Sequence, residues 1–240
     1  GGDGAVNRIC RLILVGTGSA YHMAVIAQRF FAELLPETVV EALRPGDVED
    51  PKQRFLPQQD LIVLLSWSST TAEMVDLAQQ LHKDRTLMVG ITEKCFADMA
   101  LACAKSAGVM PIYSGEEVTI AGIKSTLCML LCLHLMGAWL ASEKGLSKPL
   151  APVFSLLGDL AERIDALNDN PDAITFSRQV AKTAAEADAI VAVSSVTVAG
   201  IGQEIVLKLE EAAWYAVGQW YSFDDILTGD CGRWSPGRYV

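Results

Sequence analysis

The chain has 240 residues, of which 51% are hydrophobic and 20% are charged. This length and composition indicate a folded globular protein that buries its core in one large domain or in two smaller ones. The formal net charge of -10 at pH 7 argues against a nucleic acid or an anionic membrane as a partner, because both carry negative charge.

Hydrophobic patterning predicts an alternation of strands and helices over the first 142 residues. Strands are predicted at 11–15, 38–42, 61–65, 86–92 and 109–113, and helices at 21–35, 71–83, 96–103 and 119–142. Residues 43–59 contain three prolines and are predicted to be mostly loop. The alternation predicts an α/β fold with a parallel sheet covered by helices on both faces. Ligands of such sheets bind beyond the carboxyl ends of the strands.

A polar break at 142–149 divides the chain into a first unit, residues 1–145, and a second unit, residues 146–240. The second unit is predicted to contain helices at 151–168 and 173–187, a strand at 189–193 and a helix at 201–217. Its strand, small-residue turn and helix form a weak repeat of residues 11–35. One strand is too few for a sheet. Either the chain is a fragment, or this unit is abbreviated and packs on the first unit or on a partner chain.

The cysteines and the longest apolar segment bear on redox state and location. We interpret the cysteines as buried free thiols, which suggests the cytoplasm; a zinc site at Cys128 and Cys132 is the alternative. Residues 126–141 are apolar but short for a membrane span and contain His134, so we expect a core helix. The segment that begins at Arg8 lacks the pattern of a signal peptide. The six cysteines are Cys10, Cys95, Cys103, Cys128, Cys132 and Cys231.

The turn that follows the strand at 61–65 is rich in hydroxyl groups. Five of the six residues from Ser66 to Thr71 are Ser or Thr. Thr70 and Glu73 have the spacing of a capping box, which predicts that a helix begins there. A helix N-terminus with hydroxyls and no carboxylate favours a bound phosphate. A set of competing N-caps is the alternative interpretation.

The glycine turn at residues 16–20 also follows a strand, and it has two interpretations. Its Gly-x-Gly pattern is part of a dinucleotide-binding motif, and Glu41 falls where such a motif places an acid for the ribose. Tyr21, however, occupies the position of the third glycine. A phosphate site shared with the hydroxyl-rich turn is the preferred interpretation.

Three segments, residues 18–22, 66–73 and 115–124, resemble in order and spacing the motifs of the sugar isomerase (SIS) domain family. The arrangement is similar to the isomerase half of glucosamine-6-phosphate synthase and to related phosphosugar isomerases and deglycases. Residues 204–211 resemble the opening helix of that family's second module. The resemblance implies a three-layer, flavodoxin-like parallel-sheet fold, with a complete first module and a partial second one.

The resemblance also implies which residues hold a sugar phosphate. Trp67 stands where glutamine is common in the family, and Ser69 and Thr70 replace a usual Gly-Glu pair. The substrate-binding residues implied in this way are Ser19, Ser66, Trp67, Ser68, Thr71, Glu117 and Lys124.

The candidate chemistry lies on the helix that contains residues 204–211. Glu204, Lys208 and Glu211 fall on one helix face, which by spacing alone favours a solvated salt-bridge stripe. The resemblance instead implies that Glu211 is the base that moves a proton between C1 and C2 of an open-chain sugar, with Lys208 as an active-site lysine. A carboxylate suits this role, because burial and a neighbouring ammonium tune its pKa.

One departure leaves the function open between two classes. Thr228-Gly229-Asp230 stands where the family has His-Gly-Pro, whose histidine is associated with opening the sugar ring, and threonine lacks acid–base chemistry near neutral pH. His22 could contact a ligand or could serve in capping or packing. We therefore expect either a sugar-phosphate isomerase, homodimeric and without metal or organic cofactor, or a non-catalytic sensor of sugar phosphates.

Overall fold

Five parallel strands form the central sheet of the protein. The computed structural model describes residues 6–57, 59–118, 121–146, 155, 158–187, 189–212 and 217–227. The strands are β1 (Arg11–Gly16), β2 (Val39–Leu43), β3 (Asp60–Leu65), β4 (Leu87–Thr92) and β5 (Gly108–Pro111). Their order is β2-β1-β3-β4-β5. This is the flavodoxin-like order, and it confirms the predicted α/β fold.

Helices cover both faces of this sheet, which gives three layers. The helices of the first unit are α1 (Ser19–Leu34), α2 (Pro51–Arg54), α3 (Ala72–Lys83), α4 (Asp98–Ala104) and α5 (Ile123–Glu143). One face of the sheet packs against α1 and α5, and the other packs against α3 and α4. The short helix α2 lies in the loop between β2 and β3.

Alternating side chains of the central strands divide the core into two halves. Leu12 and Leu14 of β1 pack against α1 and α5, whereas Ile13 and Val15 pack against α3 and α4. All four side chains are fully buried. Every residue of β3 is buried as well, which is typical of a strand covered on both faces.

The apolar helix α5 belongs to this core. By length and composition it could cross a membrane, but 56% of its most apolar window is buried within the fold. Met129, Leu133 and Leu140 pack in the core cluster formed by α1 and the sheet. The predicted core helix is therefore present.

The described residues of the second unit include two strands, which corrects the prediction of one. Its elements are α6 (Leu160–Asn168), α7 (Pro171–Ala185), β6 (Ala189–Ser194), α8 (Ala199–Ala212), β7 (Val217–Ser222) and α9 (Phe223–Leu227). β7 pairs in parallel with β6 after a crossover through α8. The helix predicted to reach Val217 was too long, because the apolar pattern continues into a strand without a break. Whether the units divide at residue 145 stays a prediction, since residues 147–154 lie outside the described ranges.

Helix α8 joins the second unit to the first. A Cβ atom on Gly200 would lie 2.6 Å from the carbonyl oxygen of His22 and 2.7 Å from Cγ1 of Ile26, both in α1. Such a close approach of two helices requires glycine at the crossing point. The second unit therefore packs on the first, one of the arrangements that the sequence left open.

We predict that Gly200→Ala destabilises the protein by about 1–2 kcal/mol, because the new methyl group meets backbone atoms of α1 and forces α8 away. This loss exceeds what alanine gains in helix propensity. Gly46→Ala is the matched control, since a Cβ at Gly46 has nothing within 4 Å. Chemical denaturation measures both variants, and equal free energies of unfolding would contradict the close packing.

Candidate active site

A cavity of about 420 Å³ lies at the carboxyl ends of β1 and β3, between the two units. Its size is within the range of small-molecule sites. Ten of its fourteen lining residues have polar side chains. The lining residues are Thr17, Ser19, Ala20, Ser66, Trp67, Ser68, Thr71, Glu117, Gly122, Ser125, Thr126, Met129, Lys208 and Glu211.

Eight of the nine residues predicted for the site line this one cavity. They come from three separate motifs and from α8, so the fold brings together residues up to 192 positions apart (Ser19 to Glu211). The ninth, Lys124, lies outside the cavity. Its Nζ donates a hydrogen bond to the carbonyl oxygen of Glu116 at 2.7 Å, and its side chain is exposed.

Helical spacing explains why Lys124 faces away. The positions at the start of α5 that face the cavity are Gly122, Ser125, Thr126 and Met129, which follow the i, i+3, i+4, i+7 pattern of one helix face. Lys124 is off this face. The sequence prediction missed Ser125, Thr126 and Met129, although the same spacing counted from Gly122 would have identified them. Glu117 fixes the helix start, because its Oε2 accepts a hydrogen bond from the Ser125 N–H at 2.8 Å.

The hydroxyl-rich turn uses part of its hydroxyl groups for its own structure. Ser66 Oγ accepts from the Ser69 N–H at 3.1 Å, and Ser69 Oγ donates to Thr92 Oγ1 at 2.7 Å. Ser69 is fully buried with φ of 55°, in the left-handed region that favours glycine. Ser69 is thus a structural residue of the turn, at the position where the SIS resemblance has a glycine.

The predicted capping box at Thr70 and Glu73 is wrong by one residue. Helix α3 begins at Ala72 with Thr71 as its N-cap, so Glu73 is the second helical residue instead of the third. Thr70 instead donates its N–H to Ser68 Oγ at 3.3 Å. This turn therefore contributes three hydroxyl-bearing residues to the cavity wall, Ser66, Ser68 and Thr71, beside the N-terminus of α3.

Lys208 connects the two units across the cavity. Its Nζ donates hydrogen bonds to Ser19 Oγ of α1 and to Glu211 Oε2, both at 2.9 Å. Glu204 Oε1 is 3.3 Å from the same nitrogen, close enough for an ion pair but outside hydrogen-bond geometry. The three charged side chains are 13–31% exposed, so the solvated stripe favoured by spacing alone is wrong.

Glu204 also binds His22, which ties the network to α1. His22 Nδ1 lies 2.8 Å from Glu204 Oε2, and both side chains are nearly buried. Burial raises the pKa of Glu204, but hydrogen bonds from His22 and Ser19 and the charge of Lys208 outweigh it and hold the pKa below its usual value. His22 lies outside the set of cavity-lining residues, so the geometry supports its packing role over ligand contact.

The sequence model of the SIS domain matches residues 7–137 of the chain. The chain belongs to the SIS domain family. The match includes the glycine turn, the hydroxyl-rich turn and most of α5, and it ends before the second unit.

Related proteins extend the comparison. The chain is 28% identical over 140 residues to glutamine–fructose-6-phosphate aminotransferase (isomerizing) 2 of Mus musculus. This alignment covers 58% of this chain and 20% of the mouse protein. A probable enzyme of the same name from Acanthamoeba polyphaga mimivirus is 28% identical over 129 residues, 52% of this chain and 20% of that protein. The chain thus corresponds to about a fifth of the length of these relatives.

Solved structures agree on the SIS fold. The C-terminal domain of glucosamine-fructose-6-phosphate aminotransferase from Francisella tularensis superposes with a TM-score of 0.79, at 14% identity, over 95% of this chain and 62% of that chain. Glucosamine-6-phosphate deaminase from Thermotoga maritima gives a TM-score of 0.71, at 21% identity, over 95% of this chain and 66% of that chain. At these identities the likeness establishes the fold, and it extends through both units.

The structure does not support the dinucleotide interpretation, because the acid that it requires, Glu41, is engaged elsewhere in this SIS domain. Glu41 lies within β2, where its Oε2 accepts from Arg54 Nη2 at 2.6 Å and its Oε1 is 3.7 Å from Arg11 Nη1. It is separate from the cavity-lining residues. The glycine turn therefore contributes Thr17, Ser19 and Ala20 to the cavity without the acid expected for a ribose.

The cysteines of the described residues differ in burial: Cys103 and Cys132 are buried, and Cys95 and Cys128 are partly buried. Cys10 is exposed, so the prediction of buried thiols is wrong for this residue. Burial raises the pKa of Cys103 to about 12 and that of Cys132 to about 11.

His134 packs on Phe30 with ring centroids 4.2 Å apart. Within the described ranges there is no group of three or more His, Cys, Asp or Glu side chains placed to hold a metal ion. Cys231 and the Thr228–Asp230 segment lie outside those ranges.

We predict that Glu204→Gln lowers the free energy of unfolding by about 2 kcal/mol at pH 7, because the charged hydrogen bond with His22 and the ion pair with Lys208 are lost. The pKa of Glu204 is lower in the folded state than its usual value. The contribution of ionised Glu204 to the free energy of unfolding is therefore complete above the usual pKa and disappears as the pH falls through the folded-state pKa. The difference between wild type and variant should therefore shrink below about pH 4.5. Glu210→Gln, exposed on the same helix, is the control. A difference independent of pH would contradict the stabilising ionised form.

Proposed function

We propose that this protein binds a sugar phosphate in the cavity and catalyses an aldose–ketose isomerisation with Glu211 as the base. One observation supports this most directly. The hydroxyl-bearing residues of two turns and the Lys208–Glu211 pair line the same cavity, so one small molecule can contact an anion site and a carboxylate together.

The anion site suits a phosphate group. Ser66, Ser68 and Thr71 stand at the N-terminal end of α3, and Ser19 stands at the N-terminal end of α1. Helix N-termini carry partial positive charge and N–H groups, which favour phosphate. The protein's negative net charge does not oppose this binding, because the attraction is local.

The chemistry requires a base near C1 and C2 of the open-chain sugar. In the proposed reaction the Glu211 carboxylate takes the proton from C2 of the aldose, and O1 takes up the negative charge of the enediolate. The O2 hydroxyl proton then passes to O1, C2 becomes the carbonyl carbon, and Glu211 returns its proton to C1. Lys208, 2.9 Å from Glu211, stabilises the negative charge on the enediolate oxygens. Proton transfer within the intermediate balances the reaction without a redox step.

The proposed substrate class is a hexose or amino-sugar phosphate. The names of the related proteins, which include fructose 6-phosphate and glucosamine 6-phosphate, support this class. The volume of about 420 Å³ accommodates such a molecule.

A sensor that binds without catalysis is the second candidate. Trp67, Ser69 and Thr70 depart from the family's pattern in the hydroxyl-rich turn, and Thr228 replaces the histidine. Loss of one acid–base group costs about 10²–10⁴ in rate. Binding and proton exchange must therefore be measured separately.

We predict that fructose 6-phosphate and glucosamine 6-phosphate bind by calorimetry and exchange deuterium from solvent at C1 or C2. Glu211→Gln should lower the exchange rate by about 10²–10⁴ while leaving binding within a few-fold. Glu210→Gln, on the same helix and exposed, should leave both unchanged. Binding without exchange in wild type would favour the sensor, and the absence of binding would overturn both candidates.

We also propose that the protein is a cytoplasmic homodimer. Five cysteines, Cys10, Cys95, Cys103, Cys128 and Cys132, are free thiols, which favours a reducing compartment. A groove between α1, α5 and α8 exposes four aliphatic side chains by about half. They are Ile123, Leu127, Ile201 and Ile205. Exposed apolar patches of this kind favour protein association.

We predict that wild type sediments as a dimer and that Leu127→Lys shifts it toward monomer, because a charge is costly in an apolar interface. Leu101→Lys is the control, since Leu101 is 44% exposed on α4, outside the groove. Sedimentation velocity at several concentrations measures the result. A wild-type monomer at all concentrations would contradict the dimer.

A further inference from the structure

We infer that Trp67 is the specificity-determining residue of the cavity and selects hexose phosphates by stacking on the apolar C–H face of the sugar. The inference rests on the proposed binding of a sugar phosphate and deepens it. Trp67 lies between Ser66 and Ser68 in the chain, and all three residues line the cavity.

The backbone of Trp67 is held at the end of β4. Its carbonyl oxygen accepts a hydrogen bond from Thr92 Oγ1 at 3.1 Å and from the N–H groups of Glu93 and Lys94, both at 3.3 Å. The main chain of the residue is therefore tied to the neighbouring strand, although it lies in a turn.

The indole ring is fixed by polar contacts on the protein side. Its Nε1–H donates to Ser114 Oγ at 3.3 Å, and Ser114 donates from its backbone N–H to Glu93 Oε2 at 2.8 Å. Lys94 Nζ lies 5.0 Å from the ring centroid, in the range of a cation–π contact. The part of the ring that packs inward belongs to the core cluster of α1 and α5.

This arrangement determines what Trp67 offers to a ligand. An indole has one hydrogen-bonding group, its N–H, and here that group is engaged by Ser114. The side chain of Trp67 therefore has no free hydrogen-bonding group, and carbon is all that it offers to a ligand in the cavity that the residue lines. Met129 and Ala20 add further carbon to the wall, while the remaining side chains are mostly polar.

A ligand that matches this wall has two different ends. Its phosphate meets the hydroxyl groups and the start of α3, and a row of C–H groups lies against the indole. Hexoses have this amphipathic character, because their ring carbons bear hydrogens on one face and hydroxyls around the edge. Inorganic phosphate and glycerol 3-phosphate lack such a face. A glutamine at this position would instead offer hydrogen bonds and no flat surface.

The test compares dissociation constants of fructose 6-phosphate, glucose 6-phosphate, glycerol 3-phosphate and inorganic phosphate. We expect Trp67→Gln to weaken both hexose phosphates by about 3- to 10-fold, the size of an aromatic stacking contribution. The two ligands without a ring face should change by less than about 2-fold. Trp67→Phe should retain hexose binding within about 3-fold, because it keeps an aromatic surface.

Two further measurements separate stacking from a general disturbance of the turn. Trp139→Gln is the matched control, since Trp139 is 53% exposed on α5 and lies outside the cavity, and it should leave all four constants unchanged. Binding of a hexose phosphate should also change the tryptophan fluorescence of wild type and of Trp139→Phe. The change should be much smaller in Trp67→Phe, which lacks the tryptophan of the cavity.

The results distinguish a failure of the proposed role of Trp67 from a failure of the proposed sugar-phosphate binding. Equal weakening of all four ligands in Trp67→Gln, or unchanged hexose binding, overturns the role of Trp67 and leaves sugar-phosphate binding intact. Failure of wild type to bind any of the hexose phosphates overturns the proposed function itself.

Discussion

The contact between α8 and α1 is the interaction on which the site depends. Lys208 reaches from α8 to Ser19 at the start of α1 while pairing with Glu204 and Glu211, and Glu204 in turn binds His22. Gly200 permits the approach that makes these distances possible. Without this contact the anion site and the candidate base would belong to separate halves. The partly buried ammonium is balanced by two carboxylates, which offsets the cost of removing charge from water.

The hydroxyl-rich turn divides its side chains between its own internal hydrogen bonds and the wall of the cavity. Ser69 is turned inward to Thr92 in a backbone conformation that costs free energy for a residue other than glycine. Its neighbours Ser68 and Thr71 remain at the cavity wall. The inward bonds hold the turn before any ligand arrives, so less conformational entropy is lost on binding.

Much of the fold and most of the site could be predicted from the sequence. The strands at 61–65 and 86–92 were evident because continuous apolar runs bounded by polar turns have few other solutions. β7 was missed because Val217 continues the apolar pattern of α8, and periodicity alone cannot place such a boundary. Lys124 was predicted at the site but does not line the cavity, because a motif conveys residue order, whereas helix rotation decides which side chains face a cavity. The Lys208–Ser19 contact joins two elements far apart in the chain, and local pattern carries no information about it.

Helix α8 is also the crossover that joins β6 to β7. The same helix carries Lys208 and Glu211 on one side and packs Gly202 and Val206 toward β7 on the other, so the second sheet and the cavity share one rigid element. A substitution that loosens the packing of α8 on β7 is therefore expected to shift Lys208 and Glu211 relative to Ser19, because the same helix makes both sets of contacts. The second sheet thus helps to set the geometry of the cavity, although none of its residues lines it.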